Sequence, residues 1–126
     1  MRSKILIEYW RSDKLIGNVG DYITDIIIEA LGYEPRIYSK EQRRDNHSDY
    51  IGCLFGAGTM LSDAWFSKVA MPKVIWGTGS WGDPAFGEEH LKEAKILAVR
   101  GPVTIQMLGL PSDTPQGDPG LLLSTL

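Results

Sequence analysis

The chain is short of the residue types on which metal, redox and nucleic-acid chemistry depends. Of its 126 residues only Cys53 is a cysteine, and only His47 and His90 are histidines. A lone cysteine excludes an internal disulfide and a thiolate metal cluster, and neither histidine has a partner at metal-ligand spacing. Positive charge is scarce as well: 13 Lys and Arg stand against 16 Asp and Glu, for a net charge of −3. Arg43-Arg44 is the only adjacent basic pair and lies in a polar stretch, so nothing here suits nucleic acid. No apolar run is long enough to span a bilayer, and the N-terminus has no signal-peptide core. Those absences predict a cytoplasmic protein without a transmembrane segment. No Gly-Lys-Ser/Thr phosphate loop occurs, and the paired-glycine turns do not complete a dinucleotide fingerprint.

What remains is an ordinary globular composition, 43% hydrophobic and 23% charged, in short apolar runs that alternate with amphipathic segments. That alternation predicts parallel βαβ units in one domain over 1–126, a three-layer Rossmann-like lobe with a mostly parallel sheet. Strands are expected at Lys4–Trp10, near Arg36–Tyr38, at Tyr50–Phe55, at Lys73–Trp76 and at Lys95–Val99. The first helix should run from the Gly17–Asp21 loop to about Leu31, where Gly32 stops it. A second helix is expected within Ser62–Ala70, and another from Pro102 through Leu108. The charge-rich stretch Ser39–Ser48 reads as a surface connection, and Gly117–Leu123 reads as a further buried strand with a sharp turn.

Four of the strands lead into a loop of glycine or polar residues: Gly17–Asp21, Gly56–Thr59, Gly77–Ser80 and Arg100-Gly101. In a parallel sheet these loops share one edge, where open α/β sheets bind their ligands. Glycines let a backbone approach a bound group, and free amides at helix starts favour phosphate or carboxylate. Arg100 lies at the end of the fifth strand, with Pro102 suited to the first helical turn, so its guanidinium marks a site for an anion. Asn18 and Asp21 have two readings. Either can cap the first helix, and Asp21 can also take a proton from a substrate hydroxyl. Asp118, between Gly117 and Pro119, reads as a turn residue. Trp76, Trp81 and Phe86 suit either a sugar-stacking platform or packing. His90 reads as an exposed helix residue, and Cys53 as a small buried hydrophobe.

Taken together, these residues resemble the polysaccharide pyruvyl transferase family. Asn18-Val19-Gly20-Asp21 is similar to its N-terminal Asn-x-Gly-Asp signature, and Gly56-Ala57-Gly58-Thr59-Met60-Leu61 to its Gly-x-Gly-Ser-x-Leu turn. Trp76-Gly77-Thr78-Gly79 resembles its Trp/Phe-Gly-x-Gly strand end. Val99-Arg100-Gly101-Pro102-Val103-Thr104 and Gly117-Asp118-Pro119-Gly120-Leu121-Leu122 resemble its two most recognisable blocks, and all five occur in the family's order.

The resemblance implies transfer of the enolpyruvyl unit of phosphoenolpyruvate to sugar hydroxyls during assembly of bacterial exopolysaccharide or cell-wall polysaccharide. Phosphoenolpyruvate would be the donor substrate, no separate cofactor would be needed, and the acceptor would be a sugar or lipid-linked oligosaccharide. It further implies catalytic roles for Asn18, Asp21 and Arg100. Substrate contacts would come from Gly20, Gly56, Gly58, Thr59, Gly77, Thr78, Gly79 and Asp118. The implied architecture is one half of a GT-B-like pair of lobes. Basic residues that grip the donor belong to the other lobe, which this sequence does not contain after Asp118, so a second-lobe polypeptide or a homo-oligomer is expected. Leu121, Leu122, Leu123 and Leu126 would then leave an apolar face exposed. The alternative is a non-catalytic module on the same scaffold, binding carbohydrate or anions or serving in assembly.

Overall fold

In the computed structural model, described over residues 3–8, 19–38, 50 and 52–125, five parallel strands form one sheet. In chain order the elements are β1 (Lys4–Glu8), α1 (Val19–Ala30), β2 (Glu34–Ile37), β3 (Cys53–Phe55), α2 (Asp63–Phe66), β4 (Lys73–Trp76), α3 (Glu88–Lys92), β5 (Ala94–Ala98) and α4 (Pro102–Leu108). A 3-10 segment over Pro119–Thr125 follows. The strands lie in the order β2-β1-β3-β4-β5, and every neighbouring pair is parallel. Parallel strands need crossovers, and α1, α2 and α3 supply those that follow β1, β3 and β4. The result is the three-layer Rossmann-like lobe expected from the apolar pattern.

Period-two alternation divides each strand between the two faces of the sheet. Leu6, Cys53, Phe55 and Ile75 face the larger core, with Phe66 from α2, Phe86, and Ile105 from α4. Phe66 organises it, stacked on Phe55 at 5.2 Å and edge-on to Phe86 at 4.9 Å between ring centroids. The opposite face is thinner: Ile7 and Leu54 pack with Ile28 of α1, flanked by Ile5, Tyr22, Val74 and Trp76. α1 also packs against the 3-10 segment.

Three elements depart from the sequence expectation. α2 is a single turn, because Ser62 caps it by accepting from the Trp65 amide and the chain tightens at once. The Val69 amide then bonds the Phe66 carbonyl, so both side chains are buried before the chain enters β4. Gly117–Leu123 is not a buried strand. Its pairing is confined to an isolated bridge between Val99 and Gln116, after which the Asp118 side chain accepts from the Gly120 amide. Pro119 has no amide to give a sheet, and the chain turns into the 3-10 segment with Leu121, Leu122 and Leu123 exposed. The third difference is β3, a strand over Cys53–Phe55 rather than from Tyr50. Tyr9, Trp10 and the stretch 39–48 lie outside the described residues. Among those described, no helix is long and apolar enough to cross a membrane.

Candidate functional site

The strand order fixes where a ligand can enter. The chain moves outward from β1 to β2, returns to place β3 on the other side of β1, and continues to β4 and β5. The order thus reverses between β1 and β3, and open α/β sheets take their ligands at the carboxyl ends of the strands beside such a reversal. The loops after β3, β4 and β5 line that edge, and α1 starts beside it.

These loops are bonded directly to one another. The Gly79 amide donates to the Gly58 carbonyl at 3.0 Å, and the Leu61 amide to the Gly79 carbonyl at 3.1 Å. Thr78 is fully buried between them, where its hydroxyl donates to the Gly58 carbonyl at 3.1 Å and accepts from the Met60 amide at 2.9 Å. A hydroxyl is the smallest side-chain group that can donate and accept at once, so Thr78 ties the β3 loop to the β4 loop.

Arg100 closes the arrangement from the β5 side. Its amide donates to the Thr78 carbonyl at 3.2 Å, and its Nη1 donates to Thr59 Oγ1 at 2.7 Å and to the Gly58 carbonyl at 3.4 Å. The guanidinium lies flat over Gly79, where an added Cβ would sit 2.5 Å from its carbon. Gly79 is therefore required for contact rather than for its backbone angles. Arg100 nevertheless remains exposed, and its planar fork has five donors, more than these two oxygens occupy.

The remaining motif segments seal the edge from the sides. Gly77 adopts φ +92°, and a Cβ there would meet Pro119 and sit 2.7 Å from the Gly117 carbonyl. The Gly117 amide in turn donates to the Val99 carbonyl at 2.9 Å. On the α1 side, Gly56 sits against Thr24, whose Oγ1 accepts from the Ala57 amide at 2.8 Å. Ser80 is held by Thr104, the hydroxyl accepting its amide at 3.4 Å. The four motif-bearing segments that follow β3, β4 and β5 and carry Gly117 are thus contiguous, and Thr24 of α1 joins them.

Gly56, Gly58, Thr59, Gly77, Thr78, Gly79 and Arg100 come together at this edge. Gly20 and Asp21 lie in the first turn of α1, and Asn18 lies outside the described residues. Asp118 contributes through its place in the chain: its Oδ1 accepts from Gly120 at 2.8 Å and holds the turn. Trp76, Trp81 and Phe86 do not form a common platform, because Trp76 packs on the α1 face, Phe86 is buried on the other, and Trp81 is exposed. His90 is not a free surface residue. Its ring stacks on Phe86 at 4.9 Å, its Nδ1 accepts from the Gly87 amide, and its Nε2 lies 2.8 Å from Asp63 Oδ1.

Thr24 and Thr104 are structural members of the site that pattern reading overlooks. Thr24 had a signal, being a polar residue on the stripe that carries Ile27 and Ile28. Among the described residues, the loops after β3, β4 and β5 offer neutral hydroxyls, amides and the Arg100 guanidinium at this edge. Cys53 is no nucleophile: burial pushes its thiol up, the Glu8 carboxylate adds to the rise, and Lys73 opposes it only in part. Among the described residues no cluster of His, Cys, Asp and Glu could hold a metal ion. Comparison with family models, curated proteins and solved structures returns no match for the chain.

Proposed function

We propose that this chain is a pyruvyl-transferase-like lobe that binds a sugar acceptor at the carboxyl edge of its sheet and serves transfer of pyruvate from phosphoenolpyruvate. One observation carries the proposal: Arg100 touches Thr59, Thr78 and Gly79, and the four come from three of the five family-like segments. In the chemistry proposed, a sugar hydroxyl attacks the carbon that bears the phosphate oxygen while the methylene carbon takes up a proton. Asp21 accepts the proton of the attacking hydroxyl, phosphate leaves with the electrons of the bond it loses, and a second hydroxyl of the same sugar, giving up its proton, attacks the carbon that phosphate vacates and closes a cyclic ketal. Arg100 supplies positive charge toward an anionic group at that edge. Asn18 belongs to the same acceptor side. Donor-gripping basic residues come from a second lobe or polypeptide, or from a second copy of the chain, in a cytoplasmic assembly.

A second reading has its own support. Arg100 and Asp118 are both engaged in holding loops, which suits a non-catalytic module that binds carbohydrate or anions on the same scaffold. The test is to titrate the chain with phosphoenolpyruvate and with sugar acceptors, then to follow phosphate release alone and with candidate partner polypeptides. Release that depends on Asp21 supports transfer. Binding that persists in Asp21→Asn without release favours the module, and absence of both overturns the two readings together.

A further inference from the structure

At the amino ends of β4 and β5, remote in the fold from the motif-bearing edge, lies a cavity of about 520 Å³. Phe66, Val69, Met71, Pro72, Lys73 and Glu93 line it. Lys73 sets it apart from an ordinary surface dent. Its side chain is only 6% exposed, with Nζ 3.1 Å from Glu93 Oε2 and 5.4 Å from the centre of the Phe66 ring. A buried ammonium has three donors to satisfy and is costly to leave under-solvated. The Glu93 side chain, by contrast, is 64% exposed. It can return to water with little loss, because ion pairs with a solvated partner are weak. Lys73 cannot.

We infer that this cavity binds a small organic monoanion, a carboxylate carried on a compact apolar or aromatic body. The carboxylate replaces that of Glu93 on Lys73 Nζ, and the body packs against Ala70, Met71 and Pro72. Glu93 is then a built-in competitor that keeps the ammonium paired in the free protein. A single cation in the lining matches one negative charge. A dianionic phosphate would want the additional donors that Arg clusters provide. The inference is independent of the pyruvyl-transfer reading, which concerns the other end of the strands.

The test is an NMR titration of the whole chain with benzoate, with benzyl alcohol as its uncharged counterpart. Benzoate should shift the amide signals of Met71, Lys73 and Glu93, and benzyl alcohol should bind about tenfold more weakly, the usual worth of a hydrogen bond to a charged group. Glu93→Gln should tighten benzoate by about two- to fivefold, since it removes a competitor of surface ion-pair strength. Lys73→Met should weaken it by about tenfold or more. Equal affinity for the charged and neutral probes, shifts confined to other regions, or an affinity unchanged by Glu93→Gln would overturn the inference. Should Lys73→Met fail to fold, the comparison of the two probes on the parent chain decides alone.

Discussion

The two ends of the sheet are built on opposite principles. At the carboxyl ends of β3, β4 and β5, adjacent loops are locked by amides, carbonyls and the Thr78 hydroxyl, with glycines where a side chain would collide. At the amino ends of β4 and β5, a buried ammonium faces an exposed carboxylate beside an open cavity. The first end spends its polar groups on one another and so fixes its shape before any ligand arrives. The second leaves a charge whose partner can be exchanged. Rigid edges suit recognition by position, whereas exchangeable pairs suit recognition by charge.

The contrast breaks first at Gly77. Gly77→Ala should lower the urea-unfolding free energy by about 3 kcal/mol, combining a positive φ with collision against Pro119 and the Gly117 carbonyl. Gly101→Ala is the control, since its extended backbone and open surroundings limit the loss to about 0.5 kcal/mol. A loss at Gly77 no larger than at Gly101 would mean the edge is not locked.

Thr78→Val keeps the shape but strands the Met60 amide and removes a donor from Gly58. It should cost about 2 kcal/mol in thermal or chemical unfolding, as buried unpaired polar groups do. Arg100→Ala should cost only about 1 kcal/mol of stability, because the guanidinium is exposed. If the edge serves an anion, the same substitution should abolish binding of phosphoenolpyruvate or a sugar phosphate measured by calorimetry. At the other end, Lys73→Met should change stability by less than about 1 kcal/mol, since it replaces a buried charge with an apolar chain and frees Glu93 to hydrate. A loss there as large as that of Thr78→Val would erase the distinction between the two ends.

The smallest effect belongs to α1. Burial raises the Asp25 carboxyl above its ordinary pKa, and Glu29 one helical turn away adds to the rise. The folded chain therefore holds that proton more tightly than the unfolded chain. Stability falls as pH climbs from the ordinary value through the raised one, and stays lower above it. Asp25→Asn should make the protein slightly more stable than the parent at neutral pH, with the difference vanishing in acid. Melting temperatures across pH check both halves of that statement.

Legibility in the sequence followed the range of the forces involved. β4 and α4 could be bounded from local signals: Pro72 and Gly77 bracket a short apolar run, while Pro102 and Gly109 bracket a helix. The parallel edge could be anticipated because alternating elements leave few other topologies. The order of the strands could not, since register across β1 and β3 is decided by packing between residues far apart in the chain. The brevity of α2 escaped because burial of Phe66 and Val69 outweighed a pattern that allowed a longer helix. The fate of Gly117–Leu123 escaped because a run of leucines looks alike in a strand and in a 3-10 turn. Within the site, Arg100 and the glycines were evident from their place at strand ends. Their mutual bonding was not, and neither were Thr24 and Thr104, whose hydroxyls matter only once distant loops meet.

The contact of Gly77 with Pro119 and the Gly117 carbonyl also has a temporal meaning. As the polypeptide leaves the ribosome, β1 and β3 can pair while the pieces that complete the edge are still unsynthesised. Arg100 and Pro119 emerge after the strands they brace, so the edge is completed only once both have been made. A nascent chain arrested before that point would have most of a sheet but an edge still unbraced.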